Sequence, residues 1–148
     1  MKYFEYLKRF KDWINKTNES VDEKWHKISD FEMNDFISSH KNEDFTTNEY
    51  NIVKERFGIF GNWNNIKRKF WFNLTRSREH YTGKYYDIIV VNEGEYPPSR
   101  QFYITKWNDE WFKIEYHYQV GLKYQEEIFI CDQLDGLLSL IDYLKELS

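Results

Sequence analysis

The only cysteine of the chain, Cys131, is followed by an acid at the predicted start of a helix. A thiol there could act as a nucleophile if a neighbouring imidazole accepted its proton and the surroundings lowered its pKa. The candidate imidazole is His117, because a hairpin turning within 122–124 would place it about two positions from Cys131 on one sheet face. The carboxylate of Asp132 acts in the opposite direction, since it raises the pKa of a neighbouring thiol. A small apolar residue at a strand end is therefore the favoured interpretation of Cys131, and catalysis is the alternative.

The other groups with catalytic or ligand potential are the four histidines of the chain. No two of them have the helical spacing that would place two metal ligands on one face. His80 ends the segment Arg-Ser-Arg-Glu-His, whose charges could bind a phosphate, although no Gly-rich phosphate loop accompanies it. The sequence therefore predicts no metal and no cofactor, and it leaves a pocket at His80 as a second enzyme hypothesis.

A basic and aromatic segment, 64–86, is the candidate for binding nucleic acid. Between 54 and 84 there are eight basic and two acidic side chains, a local charge of +6 in a chain of net charge −4. Basic side chains neutralise phosphates, and an exposed ring stacks on an unpaired base. An acidic protein is an alternative partner for the same patch. The predicted contacts are Lys67, Arg68, Lys69, Trp71, Arg76 and Arg78.

The part of the chain before Gly58 has the patterns of helices. Apolar residues recur at helical spacing over 2–16, which predicts an amphipathic helix. A serine or threonine followed three residues later by a glutamate is the pattern of a capping box. Such boxes predict further helix starts at Ser20, Ser29 and Thr46, the first of these helices carrying Trp25 and Ile28 on one face.

After residue 66 the apolar residues alternate, as in half-buried strands. In one predicted hairpin, a two-residue turn at Asn108 and Asp109 would place Tyr103 opposite Ile114. That register directs three large apolar side chains away from the core: Phe102, Ile104 and Trp111.

The predicted fold class is α+β, with two layers in a single domain over 1–148. Its parts are a mainly helical segment (1–58), an antiparallel meander of about five strands (66–131) and a terminal helix (133–147) packed on the sheet.

Exposed aromatic and aliphatic residues lead to the functional prediction, since contiguous exposed rings are typical of interaction surfaces. The predicted contacts are Trp111, Phe102, Ile104, Tyr96 and Trp63. A helix from the segment 20–57 covering that face is the alternative. The sequence favours a non-catalytic protein that binds another protein, with nucleic-acid binding as the alternative function and catalysis as the third.

Composition bears on origin and location. The chain has 12 Phe and 12 Tyr but 6 Gly and 2 Pro, which is typical of an AT-rich genome such as that of a virus or mobile element. Its first residues lack the apolar segment of a secretory signal, and no run reaches the about 18 apolar residues of a membrane span. These patterns predict a cytoplasmic protein without a membrane partner.

Overall fold

A computed structural model describes residues 24–58, 70–79, 82–94 and 98–147 of the chain. Within these ranges lie seven strands and three helices, which confirms the α+β class with more strands than predicted. The predicted helix over 2–16 lies outside the described residues. In chain order the elements are β1 (Trp25–Ile28), α1 (Asp30–Ser39), β2 (Asn42–Glu43), α2 (Thr47–Arg56), β3 (Phe70–Arg78), β4 (Tyr85–Glu93), β5 (Arg100–Trp107), β6 (Trp111–Val120), β7 (Lys123–Asp132) and α3 (Gln133–Glu146).

All the strands belong to one antiparallel sheet. Its order is β1-β7-β6-β5-β4-β3, and the short β2 pairs with β5 beside β4. Strands β3 to β7 follow one another as neighbours, so the predicted meander is confirmed. The sheet also includes β1 and β2, which come from the segment predicted to be mainly helical.

The predicted helix across Trp25 and Ile28 is wrong because these residues form β1. The strand pairs with β7 from Trp25 opposite Cys131 to Ile28 opposite Ile128. Trp25 packs edge-on against Phe129, with ring centroids 5.8 Å apart. Four residues are too few for apolar spacing to distinguish helix from strand, and pairing with β7 decides the outcome.

Two of the predicted capping boxes are confirmed. Ser29 accepts from the backbone of Glu32 and begins α1, while Thr46 accepts from Glu49 and begins α2. In both boxes the glutamate side chain accepts in return from the backbone of the cap. Gly58 follows α2 with a φ of 80°, a left-handed conformation that glycine adopts without strain.

The register of β5 and β6 differs from the predicted one by a single residue. Trp107 pairs with Trp111, so the turn has three residues instead of two. Ile104 therefore lies opposite Ile114, and Tyr103 lies opposite Glu115. Because strand side chains alternate between faces, this one-residue difference moves every β5 side chain to the other side of the sheet.

One face of the sheet, the core face, is covered by α2 and α3. The apolar stripe of α3 packs there with Val53 of α2 and with Phe57 just after it. The sheet contributes Trp25, Phe70, Ile89, Val91, Phe102, Ile104, Phe112, Ile114, Tyr116, Phe129 and Cys131 to this core.

The opposite face of the sheet is covered in part by α1. Met33 and Phe36 of this helix pack on Trp107 and Trp111, with the ring of Phe36 centred 5.3 Å from that of Trp107. The predicted two-layer arrangement is therefore wrong at this end of the sheet, where helices lie on both faces.

A buried arginine connects the end of α3 to the sheet. Arg100 donates to the carbonyl oxygens of Leu144 and Leu147 at the end of α3. The carbonyl of Leu144 also accepts from the backbone N–H of Leu147. The arginine also pairs with Glu93 on β4 and contacts the hydroxyl of Tyr116 on β6. Burial disfavours the charge, but the hydrogen bonds to Tyr116 and Glu93 outweigh it and raise the pKa of Arg100.

Replacing this arginine should therefore destabilise the protein strongly. We expect Arg100→Met to lower the free energy of unfolding by about 3–5 kcal/mol, because it leaves the carboxylate of Glu93 and the carbonyl of Leu147 without the arginine that pairs with them. The control is Arg56→Met, which removes an exposed pair with Asp142 of α3 and should cost about 0–1 kcal/mol. Urea denaturation measures both, and equal losses would contradict the role of Arg100.

A second test concerns the approach of α3 to β1. A Cβ atom on Gly136 would lie 2.5 Å from the carbonyl oxygen of Lys24, which accepts a hydrogen bond from the backbone of Asp132. Gly136→Ala should therefore destabilise the fold by about 1–3 kcal/mol, although alanine favours helices. Ser139→Ala on the exposed side of α3 is the control and should be neutral or slightly stabilising in urea denaturation.

Candidate functional site

A cavity of about 450 Å³ lies at the corner of the sheet where α1 ends. We call it the corner cavity. Its volume is typical of a small-molecule site. The described residues that line it come from α1 and β2, from the β3–β4 turn and from the sheet, namely Ile37, Ser38, His40, Lys41, Asn42, Arg78, Glu79, Thr82, Tyr86, Thr105, Trp107 and Lys113.

The floor of the corner cavity is set by the register of β5 and β6. Thr105 pairs directly with Lys113, and Trp107 lies two residues further along the same face. Thr105 and Trp107 are each only 4% exposed. Within the described part of the chain, the Thr105 hydroxyl and the Trp107 indole N–H are buried without a hydrogen-bond partner. Such a group costs about 1–3 kcal/mol. Among the described residues, the indole N–H groups of Trp25 and Trp71 are also buried without a hydrogen-bond partner, away from this cavity.

The charges around the corner cavity are mainly positive. Lys41, Arg78 and Lys113 line it, and Glu79 is the one acid among the described lining residues. Both oxygens of Glu79 are already engaged, one by the backbone N–H of Asn42 and the other by the hydroxyl of Thr82. The cavity therefore offers an excess of positive charge and hydrogen-bond donors.

A polar row continues from the cavity along the same face. Lys113 donates to Glu115 at 2.9 Å, and the His117 Nε2 lies 3.7 Å from Glu115 and 3.9 Å from Glu126. Glu115, His117 and Glu126 each offer an atom that could bind a metal, and these atoms lie within 4.8 Å of one another. Lys113 supplies one positive charge against the two carboxylates of Glu115 and Glu126. The expected absence of a metal stays a prediction.

The hairpin of β6 and β7 ends in an apolar tip, which we call the β6–β7 tip (residues 119–124). Leu122 is 97% exposed, and its neighbours Val120 and Tyr124 are 59% and 66% exposed. Strand β5 pairs with β6 only as far as Tyr118, and β1 pairs with β7 only from Ile128 onward. Among the described strands, the tip is thus paired only within itself.

The three described members of the predicted protein-binding set do not form an exposed surface. Phe102 and Ile104 are fully buried on the core face, and Trp111 is buried beneath α1. The expected outward position of Phe102 and Ile104 is wrong because of the register. Trp111 does lie on the outer face, but α1, a helix from the segment 20–57, covers it, as the alternative interpretation predicted. Tyr96 and Trp63 lie outside the described residues.

The predicted nucleic-acid contacts are only partly within the described chain, which excludes 67–69 and hence Lys67, Arg68 and Lys69. Arg76 is paired with Asp44 and Asp87, while Arg78 donates to the carbonyl of Gly83. Trp71 lies on the opposite face of β3 from both arginines, and its indole nitrogen is buried. The structure therefore does not bring Trp71 together with the two arginines, and nucleic-acid binding stays a prediction.

Cys131 is not placed for catalysis. It is fully buried on the core face, and burial, together with the charge of Asp132, holds the pKa of its thiol well above the usual value. The turn between β6 and β7 lies at Gly121 and Leu122, so His117 pairs with Glu126 and lies on the opposite face from Cys131. The expected shared face is therefore wrong. His80 lies outside the described residues.

The thiol of Cys131 should accordingly be unreactive in the folded protein. We expect iodoacetamide at neutral pH to modify it at least about 100-fold more slowly than in concentrated urea, because labelling requires opening of the core. Mass spectrometry of timed samples measures the two rates, and the unfolded chain serves as the control for intrinsic reactivity. Rapid labelling of the native protein would contradict this prediction and make Cys131 a candidate nucleophile.

Sequence reasoning missed both the corner cavity and the β6–β7 tip. The tip had a local signal, since Val120, Leu122 and Tyr124 place apolar side chains around a turn, where polar residues are usual. The cavity had none, because its residues come from separate segments of the chain.

Within the described residues, none of the helices is both long and apolar enough to cross a membrane. No protein-family model, curated protein or solved structure matches this chain.

Proposed function

We propose that this chain is a non-catalytic protein that binds another protein through the β6–β7 tip. The observation that carries the proposal is the nearly complete exposure of Leu122 between two other exposed apolar residues. A cytoplasmic location and an origin in an AT-rich virus or mobile element belong to the same proposal and rest on composition alone.

The geometry of the tip supports recognition by a cleft. Gly121 begins the two-residue turn with a φ of 63°, as the first position of a type II′ hairpin turn requires. Val120 pairs with Lys123 and Tyr124 with Gln119, so the two apolar side chains lie on opposite faces of the hairpin. A flat surface would contact only one of them, whereas a cleft would contact both and enclose Leu122.

The energetics of such an interface are favourable. Burying an exposed leucine contributes about 1.5–3 kcal/mol, and the flanking residues would add to it. The tip is part of a continuous ladder from Trp111 opposite Asp132 to Val120 opposite Lys123. Because this ladder already orders the backbone, binding would lose little conformational entropy.

The test compares affinity capture by the wild type with capture by Leu122→Ser. We expect a discrete partner whose dissociation constant rises by about 10- to 100-fold in the variant, as the loss of one buried leucine implies. Phe31→Ser is the matched control, since Phe31 is 75% exposed on α1 and lies outside the tip. A partner retained equally by all three proteins would contradict the proposal. Light scattering shows whether that partner is a second copy of the chain.

A further inference from the structure

We propose that the corner cavity binds a small organic anion that carries a carboxylate or phosphate group on an apolar body. This inference does not depend on the β6–β7 tip, because Lys113 and its β5 partner Thr105 lie at the other end of β6. Three properties of the cavity support it, namely its buried donors, its charge and its apolar walls.

The buried polar atoms of the cavity floor indicate which hydrogen-bonding groups a ligand would need. The indole N–H of Trp107 can only donate, and the hydroxyl of Thr105 can donate or accept. Both side chains are more than nine-tenths buried, and among the described residues neither polar atom meets a hydrogen-bond partner. Buried polar groups are satisfied in the large majority of cases. Both atoms are covered by neighbouring side chains, so a ligand with acceptor oxygens would pair with them after those side chains move aside.

The charge at the floor favours an oxyanion over a neutral acceptor. Lys113 pairs directly with Thr105 in the sheet. Its ammonium has three donors and gives one to Glu115. Its side chain is 15% exposed, so solvent screens it less than a surface lysine. Arg78 and Lys41 line the same cavity, while Glu79 is already engaged by Asn42 and Thr82.

The walls and the volume favour an organic anion over a bare inorganic ion. Ile37, Tyr86 and the ring of Trp107 provide apolar surface beside the donors. The cavity of about 450 Å³ is many times larger than the roughly 30 Å³ of one water molecule. An apolar body would cover the walls while the charged group reaches Thr105, Trp107 and Lys113.

The indole N–H signals of ¹⁵N-labelled full-length protein test this site directly, because the chain has six tryptophans and only Trp107 is a described lining residue. Benzoate and phenyl phosphate are the probes, and benzyl alcohol is the neutral control. We expect a saturable shift of the Trp107 signal, with the neutral control binding at least about tenfold more weakly. The tighter of the two anions identifies the preferred charged group. Absence of a saturable shift with both anions, or equal binding of benzyl alcohol, would overturn the proposal.

Two variants and two matched controls locate the binding. Thr105→Val and Lys113→Met should each weaken the tighter anion by about tenfold, whereas Thr75→Val on β3 and Lys123→Met at the tip should leave its affinity unchanged. Thr105→Val should also raise the urea midpoint of the ligand-free protein, because it removes a buried hydroxyl that has no partner. Unchanged affinity in both cavity variants would place the anion elsewhere and overturn the assignment.

Discussion

The three-residue turn between β5 and β6 is the constraint on which the rest of the structure depends. The pair of Trp107 and Trp111 closes it, and Asp109 and Glu110 adopt left-handed conformations with φ of 63° and 61°. Two such residues cost about 1 kcal/mol or more each. In return, the large apolar residues of both strands reach the core face together, while the two tryptophans form the surface on which α1 packs. A turn with one residue fewer would exchange the two faces of β5.

Tertiary hydrogen bonds hold this turn, which explains why its length could not be predicted from local sequence. The backbone of Asn108 donates to the carbonyl of Lys41, and the Asn108 side chain accepts from Lys41 in return. The carbonyl of Glu110 accepts from the backbone of Gln133 at the start of α3. The Asn-Asp pair favours a two-residue turn when considered alone. Contacts with segments far away in the chain select the longer one.

The features that could be predicted are those determined by neighbouring residues. The capping boxes at Ser29 and Thr46, the meander and α3 all follow from patterns within a few residues. Strand β1 could not be predicted because it exists only through pairing with β7. The floor of the corner cavity, Thr105 beside Lys113, requires the correct register as well as the position of α1. A site assembled by tertiary contacts leaves no local pattern in the sequence.

Incomplete coverage of one sheet face explains why a cavity forms beside α1. The helix has ten residues, so it is about 15 Å long, and it covers Trp107 and Trp111 without reaching across β5 to the β3–β4 turn.

Strand β6 connects the corner cavity to the β6–β7 tip. Lys113 and Val120 are seven residues apart on this strand, or about 23 Å. An unbroken ladder with β7 lies between them, so a ligand at one end has no hinge through which to move the other. The two surfaces are therefore expected to act independently.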